Sequence, residues 1–266
     1  MIAGFRNVPP VVLLLIVLTG CAGLPARLPM SETASLAARE SFKEMVARQR
    51  RCDNSVDAEL TVTLDSRFYR GTMNGYLQAK APSFLKLVGM NPLGQPLVVL
   101  VSDGEQFNYA LFPERLIYHG DVDSEAYRRI APSGIDPGNI FYTLIGRLAP
   151  GEVWILSTGN DEQGRGVWLE LARDSGNSRS LVLFDPDRLL IRRYLKLDAD
   201  GGLALEIVYD RYGAGECGLP GRLTAVSDDH AGELTIRLDD WRTGFPSSPA
   251  DFELELPPSF KRVKVN

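Results

Sequence analysis

Val56-Asp57-Ala58-Glu59-Leu60-Thr61-Val62-Thr63-Leu64 alternates apolar and polar side chains at every step. Successive side chains of a strand point to opposite faces, so a period of two predicts a strand with one buried and one wet face. The same alternation returns in Leu203/Leu205/Ile207/Tyr209, in Leu234/Ile236/Leu238 and in Phe252/Leu254/Leu256. Shorter apolar stretches lie at 106–111, 115–119, 153–156, 167–171, 181–184 and 189–197. Between them stand turn formers: Asp103-Gly104, Ser175-Gly176-Asn177, Asp185-Pro186-Asp187, and residues 198–202 and 229–232. Many short strands joined by brief polar turns predict one mainly β (α+β) unit, an antiparallel meander of about ten strands, curved or closed.

Two segments break the period of two. After Ser31, which can cap a helix, Ala34, Ala38, Phe42, Met45 and Val46 share one face, and Arg48, Arg50 and Arg51 suit the negative end of the helix dipole. Later, Asp136-Pro137 supplies a cap and a proline at the first helical position. Ile140, Phe141, Leu144 and Ile145 then form an apolar face, and Gly146 stops the helix. A shorter helix is expected around 124–130. One alternating sheet gives one apolar concavity, which the central helices would cover as a lid or plug. Leu60, Val62, Leu87 and Val99 are the expected strand lining, with Phe141 and Leu144 above them. No internal repeat or boundary divides residues 31–266, so they read as a single domain.

The chain has 266 residues, 44% hydrophobic and 24% charged, with a net charge of −5. Nothing makes a basic stripe, so a nucleic-acid partner is not expected. Arg6 is the only charge before the apolar run Val11–Leu18. As a helix that run reaches about 12 Å at roughly 1.5 Å per residue, too short to span a bilayer and of the right size for an export signal. Leu18-Thr19-Gly20-Cys21 resembles the lipobox of bacterial lipoproteins. The resemblance implies cleavage after residue 20, a diacylglyceryl group and acyl chain on Cys21, and a tether over 21–30. Ala22 in place of aspartate resembles an outer-membrane address. In an oxidising compartment the remaining cysteines, Cys52 and Cys217, can form a disulfide, or they can be two separate buried thiols.

Evidence for catalysis is absent from the sequence. His119 and His230, the only histidines, fall at a strand end and in a turn. No nucleophile elbow, phosphate loop or zinc-helix motif occurs. Asp198-x-Asp200-Gly201 lacks the later ligands of a calcium loop and reads as a hairpin turn. Asp121/Asp123 and Asp185/Asp187 are turn acids, and Glu253 and Glu255 lie on the wet face of an expected strand. No metal site, cofactor or catalytic residue is assigned.

Several short motifs in order are similar to one family. Arg70-Gly71, Phe84-Leu85-Lys86-Leu87, Asn91-Pro92-Leu93-Gly94, Leu144-Ile145-Gly146, Leu219–Leu223 and Leu234–Trp241 resemble LolB-like outer-membrane lipoproteins of the LolA/LolB lipoprotein-localization superfamily. The chain departs from LolB in its cysteine pair, a longer region at 160–220 and the tail after Trp241. The tail's Phe-x-Leu-x-Leu-Pro is closer to the LolA side. The resemblance implies a half-open barrel that receives a bound acyl chain of a cargo lipoprotein. It also implies exchange with a LolA-type carrier or acylated lipoproteins, a periplasm-facing anchor in the outer membrane, and action as a monomer without metal or nucleotide. An envelope-assembly or scaffold lipoprotein that keeps the fold without lipid transfer is the alternative, and an enzyme acting on envelope material a third class.

Gly89-Met90-Asn91-Pro92-Leu93-Gly94-Gln95-Pro96 carries a leucine in turn chemistry. Leu93 either folds back onto the sheet edge as core or projects as an apolar tip, with Pro92 and Met90 beside it. The resemblance implies the second, a tip that enters the membrane during cargo release.

Overall fold

The computed structural model describes residues 24–66, 70–131, 134–173, 178–227, 232–255 and 257–265. The expected export segment, Cys21, Ala22, the expected turn at 175–177 and His230 lie outside the described residues. The chain begins with β1 (Arg27–Leu28) and α1 (Glu32–Gln49), whose N-terminus is capped by Ser31 Oγ accepting from Ala34 N. Six strands follow: β2 (Ser55–Ser66), β3 (Arg70–Lys80), β4 (Phe84–Met90), β5 (Pro96–Ser102), β6 (Gln106–Leu111) and β7 (Leu116–Asp121). The short α2 (Glu125–Arg128), a 3-10 turn (Pro137–Asn139) and α3 (Ile140–Leu144) interrupt the meander. It resumes as β8 (Trp154–Asp161), β9 (Val167–Arg173), β10 (Ser178–Asp185), β11 (Leu190–Leu197), β12 (Leu203–Tyr212), β13 (Pro220–Ser227) and β14 (Gly232–Thr243), and β15 (Lys261–Lys264) closes the described chain.

Among the described residues all fifteen strands belong to one sheet, in the order β1-β8-β9-β10-β11-β12-β13-β14-β2-β3-β4-β5-β6-β7-β15. Every pairing is antiparallel except β15 with β7. The two ends, β1 and β15, do not pair with each other, so the curved sheet stays open, a half-barrel with more strands than the sequence pattern counted.

The inner face carries the main core. Val56, Ala58 and Leu60 of β2, Leu77 and Ala79 of β3, and Leu169, Val182, Ile207 and Leu238 from the other arm meet there. α1 lays Ala38, Phe42 and Met45 across it, and Phe42 meets Phe184 edge to face with ring centroids 5.5 Å apart. Ala34, one turn earlier, is exposed. α3 inserts Ile140, Phe141 and Leu144 into the same core. It is held by Phe141 N donating to Pro82 O and by Tyr209 Oη donating to Thr143 O. The Cys52–Cys217 disulfide, with Cα atoms 5.7 Å apart, ties the end of α1 to the β12–β13 connection.

The tail departs from the expected pattern. Pro249–Phe252 forms a 3-10 turn and Glu253–Glu255 is irregular, so Phe252/Leu254/Leu256 is not a strand, and Leu256 itself lies outside the described residues. Phe252 packs on Phe84, while Leu254 and Phe260 cover Val99, Val101, Ala110 and Ile117 on the outer face. The alternation reflects burial against a sheet face, not pairing within it.

On the other arm, Trp168 is buried on the outer face beneath Arg193. Its indole donates to Asp161 Oδ1, and Arg165 donates to the same carboxylate through both side chain and backbone. Burial of Asp161 disfavours its charge, but these hydrogen bonds outweigh that cost and hold its pKa at about 2, below the ordinary 3.8. Because the folded value is the lower one, the stabilisation, on the order of 2 kcal/mol, is complete above about pH 4 and is lost as pH falls towards 2. Urea midpoints measured across that window should drop in the wild type and change much less in Asp161→Asn.

Candidate functional site

At the β4–β5 turn, Asn91 organises the backbone. Its Oδ1 accepts from Leu93 N (2.9 Å) and Gln95 N (3.0 Å), and its own N–H donates to Gln95 O (2.9 Å). Gly94 takes φ +78°, where a side chain would be strained. Asn91, Pro92 and Gly94 thus build the turn with no contribution from the Leu93 side chain. That side chain is 83% exposed, the most exposed large apolar group among the described residues. Pro92 is exposed as well, and Met90 is half-buried at the end of β4.

The inner row of β2 opens in the same direction. Val56 is 0% exposed, Ala58 and Leu60 are buried, Val62 is half-buried, and Leu64 reaches 37%. The facing residues of β14 follow the same course: Leu238 and Ile236 are buried and Leu234 is half-buried. The register Leu60↔Gly75, Val62↔Met73 and Gly75↔Gly89 places this opening at the end of the sheet from which the Leu93 turn projects. The apolar interior therefore has a mouth, and Leu93 stands at its rim.

Of the expected lining residues, Leu60 lies deep in the core and Val62 and Leu87 are half-buried against it. Phe141 and Leu144 are buried as the plug of α3. Val99 is a correction. It pairs with Val88 and Ala110 on the outer face beneath the tail, and its neighbour Leu100 takes the inner position. The run Leu97-Val98-Val99-Leu100-Val101 is apolar on both faces, so its pattern could not show which residues point inward. The interior itself is occupied by side chains of α1 and α3. Asp198, in the turn that faintly suggested calcium, uses Oδ1 to accept from Asp200 N and Gly202 N.

Where α3 ends, Gly146 (φ +64°) turns the chain into Arg147. The nearly buried Arg147 guanidinium donates to Asp53 O (3.1 Å) and Cys217 O (3.3 Å), carbonyls beside both halves of the disulfide. Burial lowers its pKa from the ordinary arginine value. Below it Tyr209 is fully enclosed, and burial pushes its hydroxyl well up. Arg173 donates to Ala149 O and Lys196 to Gly134 O from the strand side. No local pattern signals this convergence, because the three cations come from a loop and two separate strands.

Three solved structures are similar in fold. A DUF1329 family protein from Desulfovibrio piger superposes with a TM-score of 0.59 at 13% identity, covering 82% of this chain and 97% of that one. A LolA superfamily protein from Nitrosomonas europaea gives 0.56 at 11% identity, covering 82% and 97%. A proposed outer membrane lipoprotein-sorting domain from Vibrio parahaemolyticus gives 0.54 at 11%, covering 80% and 94%. No protein-family model matches the sequence, and no curated protein matches it. The chain shares its fold with these three structures.

Proposed function

We propose that this protein is a lipid-anchored envelope protein that shelters acyl chains in the mouth of its half-barrel and passes them to a membrane. The observation that carries this reading is the pairing of an apolar interior that opens towards one end with a fully projecting leucine at that end. An acyl chain in water costs about 25 cal/mol per Å² of exposed apolar area, so any route between membranes needs such a shelter. Leu93 inserting into a bilayer contributes roughly 1.5–3 kcal/mol, enough to orient docking and too little to anchor. Anchoring falls to acylated Cys21, with the outer membrane as its address and the periplasm as the side it faces. The cargo is the acyl portion of lipoproteins delivered by a LolA-type carrier. The step uses no metal, nucleotide or catalytic residue.

Leu93→Glu should fold like the wild type, because the turn does not use that side chain. It should bind liposomes several-fold more weakly and release acylated cargo into them more slowly. Wild-type release rates in a folded Leu93→Glu variant would remove the tip from the mechanism.

The scaffold reading also has an observation behind it. Phe42, Phe141 and Phe184 fill the centre of the interior, as in a protein that keeps the fold without carrying lipid. The carrier reading requires α3 to yield when a chain enters, so lipid binding by the folded protein separates the two.

A further inference from the structure

We infer that the polar pocket beside α3 is a binding site for a phosphate ester, with a lipid headgroup or a free phosphate as its two sources. The pocket, about 220 Å³, lies between the α3 loop and β9–β12. Three cations line it: Arg147 from the loop, Arg173 from the end of β9 and Lys196 from β11. None of the three forms an ion pair among the described residues; each donates to backbone carbonyls instead. A guanidinium has five N–H donors and an ammonium three, so two bonds each from Arg147 and Arg173 and one from Lys196 leave donors over. Asp136 is the one carboxylate among the described lining residues, and its oxygens accept from Gly138 N and Asn139 Nδ2 at the start of the 3-10 turn.

Among the described lining residues three positive charges face one negative, and Arg147 is nearly buried, so this lining carries a net positive charge. Phosphate fits this chemistry, because arginine forks and a lysine point charge are the usual cationic partners of its oxygens. The pocket also borders two neighbouring hollows. It shares Tyr142, Arg147, Leu148 and Arg173 with a small cavity of about 120 Å³. That cavity shares Val46, Arg50 and Val153 with a groove of about 770 Å³ between α1 and β8, floored by Phe42 and Ile155. A phosphate bound among the cations would leave attached acyl chains facing the groove. The lipid arm of this inference rests on the proposed acyl-shelter function; the phosphate arm does not.

The test is calorimetric titration of the full protein with inorganic phosphate, dihexanoylphosphatidylglycerol and dihexanoylglycerol, repeated on Arg173→Gln/Lys196→Gln, which leaves Arg147 in place. The expected result is tighter binding of the phosphatidylglycerol than of dihexanoylglycerol, weakened roughly tenfold or more in the variant through loss of charge-assisted hydrogen bonds. Dihexanoylglycerol affinity should not change. Phosphate binding that depends on the two residues, with neither lipid bound, would support the site, assign it to a soluble phosphate and leave the acyl-shelter reading without support. Equal affinity for the two lipids, or a folded variant that binds the phosphatidylglycerol as tightly as wild type, would overturn the inference. Should the double variant not fold, the same comparison is made on wild type at rising salt. Phosphatidylglycerol affinity should then fall while that of dihexanoylglycerol holds, and salt-independent binding of both would overturn it.

Discussion

Replacing Phe141 by alanine is expected to cost about 3–5 kcal/mol of folding stability and, at the same time, to increase the affinity of the protein for an acyl chain. Phe141 is fully buried at the middle of α3, between the two arms of the sheet. Truncating a buried phenylalanine loses its transfer free energy and leaves a cavity that the surrounding strands can close only in part. α3 is only five residues long and cannot hold its own helical shape without packing. If the interior is an acyl site that α3 occupies when cargo is absent, removing the plug's largest side chain lowers the cost of displacing it. A fatty acid should then raise the midpoint of Phe141→Ala more than that of wild type. Trp168→Ala is the control: it makes a cavity of similar cost on the outer face, away from the interior, and should gain no response to lipid. Equal lipid responses in the two variants would mean that the interior is ordinary core.

The second large effect concerns the disulfide. Cys52 and Cys217 are 165 residues apart in sequence, and closing a loop of that size removes much of the freedom of the unfolded chain. The chain-entropy estimate is about 5 kcal/mol, and losses of native disulfides generally fall at about 2–5 kcal/mol. Cys52→Ser/Cys217→Ser should therefore lower the denaturant midpoint strongly and raise the slope, because the unfolded chain without the cross-link exposes more surface. The loss should be felt at α3 as well, because Arg147 holds carbonyls adjacent to both cysteines. Amide exchange at 140–147 should accelerate more than exchange in β5 and β6. A variant with wild-type stability, or with uniform exchange, would remove the bond from the support of α3.

The sheet was readable where one face is buried and the other wet, as in β2, β12 and β14, because alternation then records burial directly. It was not readable in β3, whose inner row is Gly71, Met73, Gly75, Leu77 and Ala79. Gly75 is required there because a side chain would strike Val88 O of the adjoining strand, yet glycine weakens the strand signal. β15, Lys261-Arg262-Val263-Lys264, is an edge strand whose charges hide its pairing with β7. The hairpin turn was legible because Asn, Pro and Gly at fixed offsets define it, whereas whether Leu93 folds back or projects was left open by these residues and is decided by its 83% exposure. The mouth was half legible: Leu60, Val62, Leu64 and Leu87 follow from alternation, but Met73 emerges only from the register. The cation pocket could not be read at all, since Arg147, Arg173 and Lys196 are ordinary residues until the topology brings them together.

The measurement that tests the central claim most directly is native mass spectrometry of the Cys21→Ala protein, mixed with an acylated lipoprotein held by a LolA-type carrier. The account predicts a one-to-one complex that takes the lipoprotein from the carrier and yields its acyl chains to added liposomes. Repeated failure to form that complex, with no lipid retained by the folded protein, would contradict it.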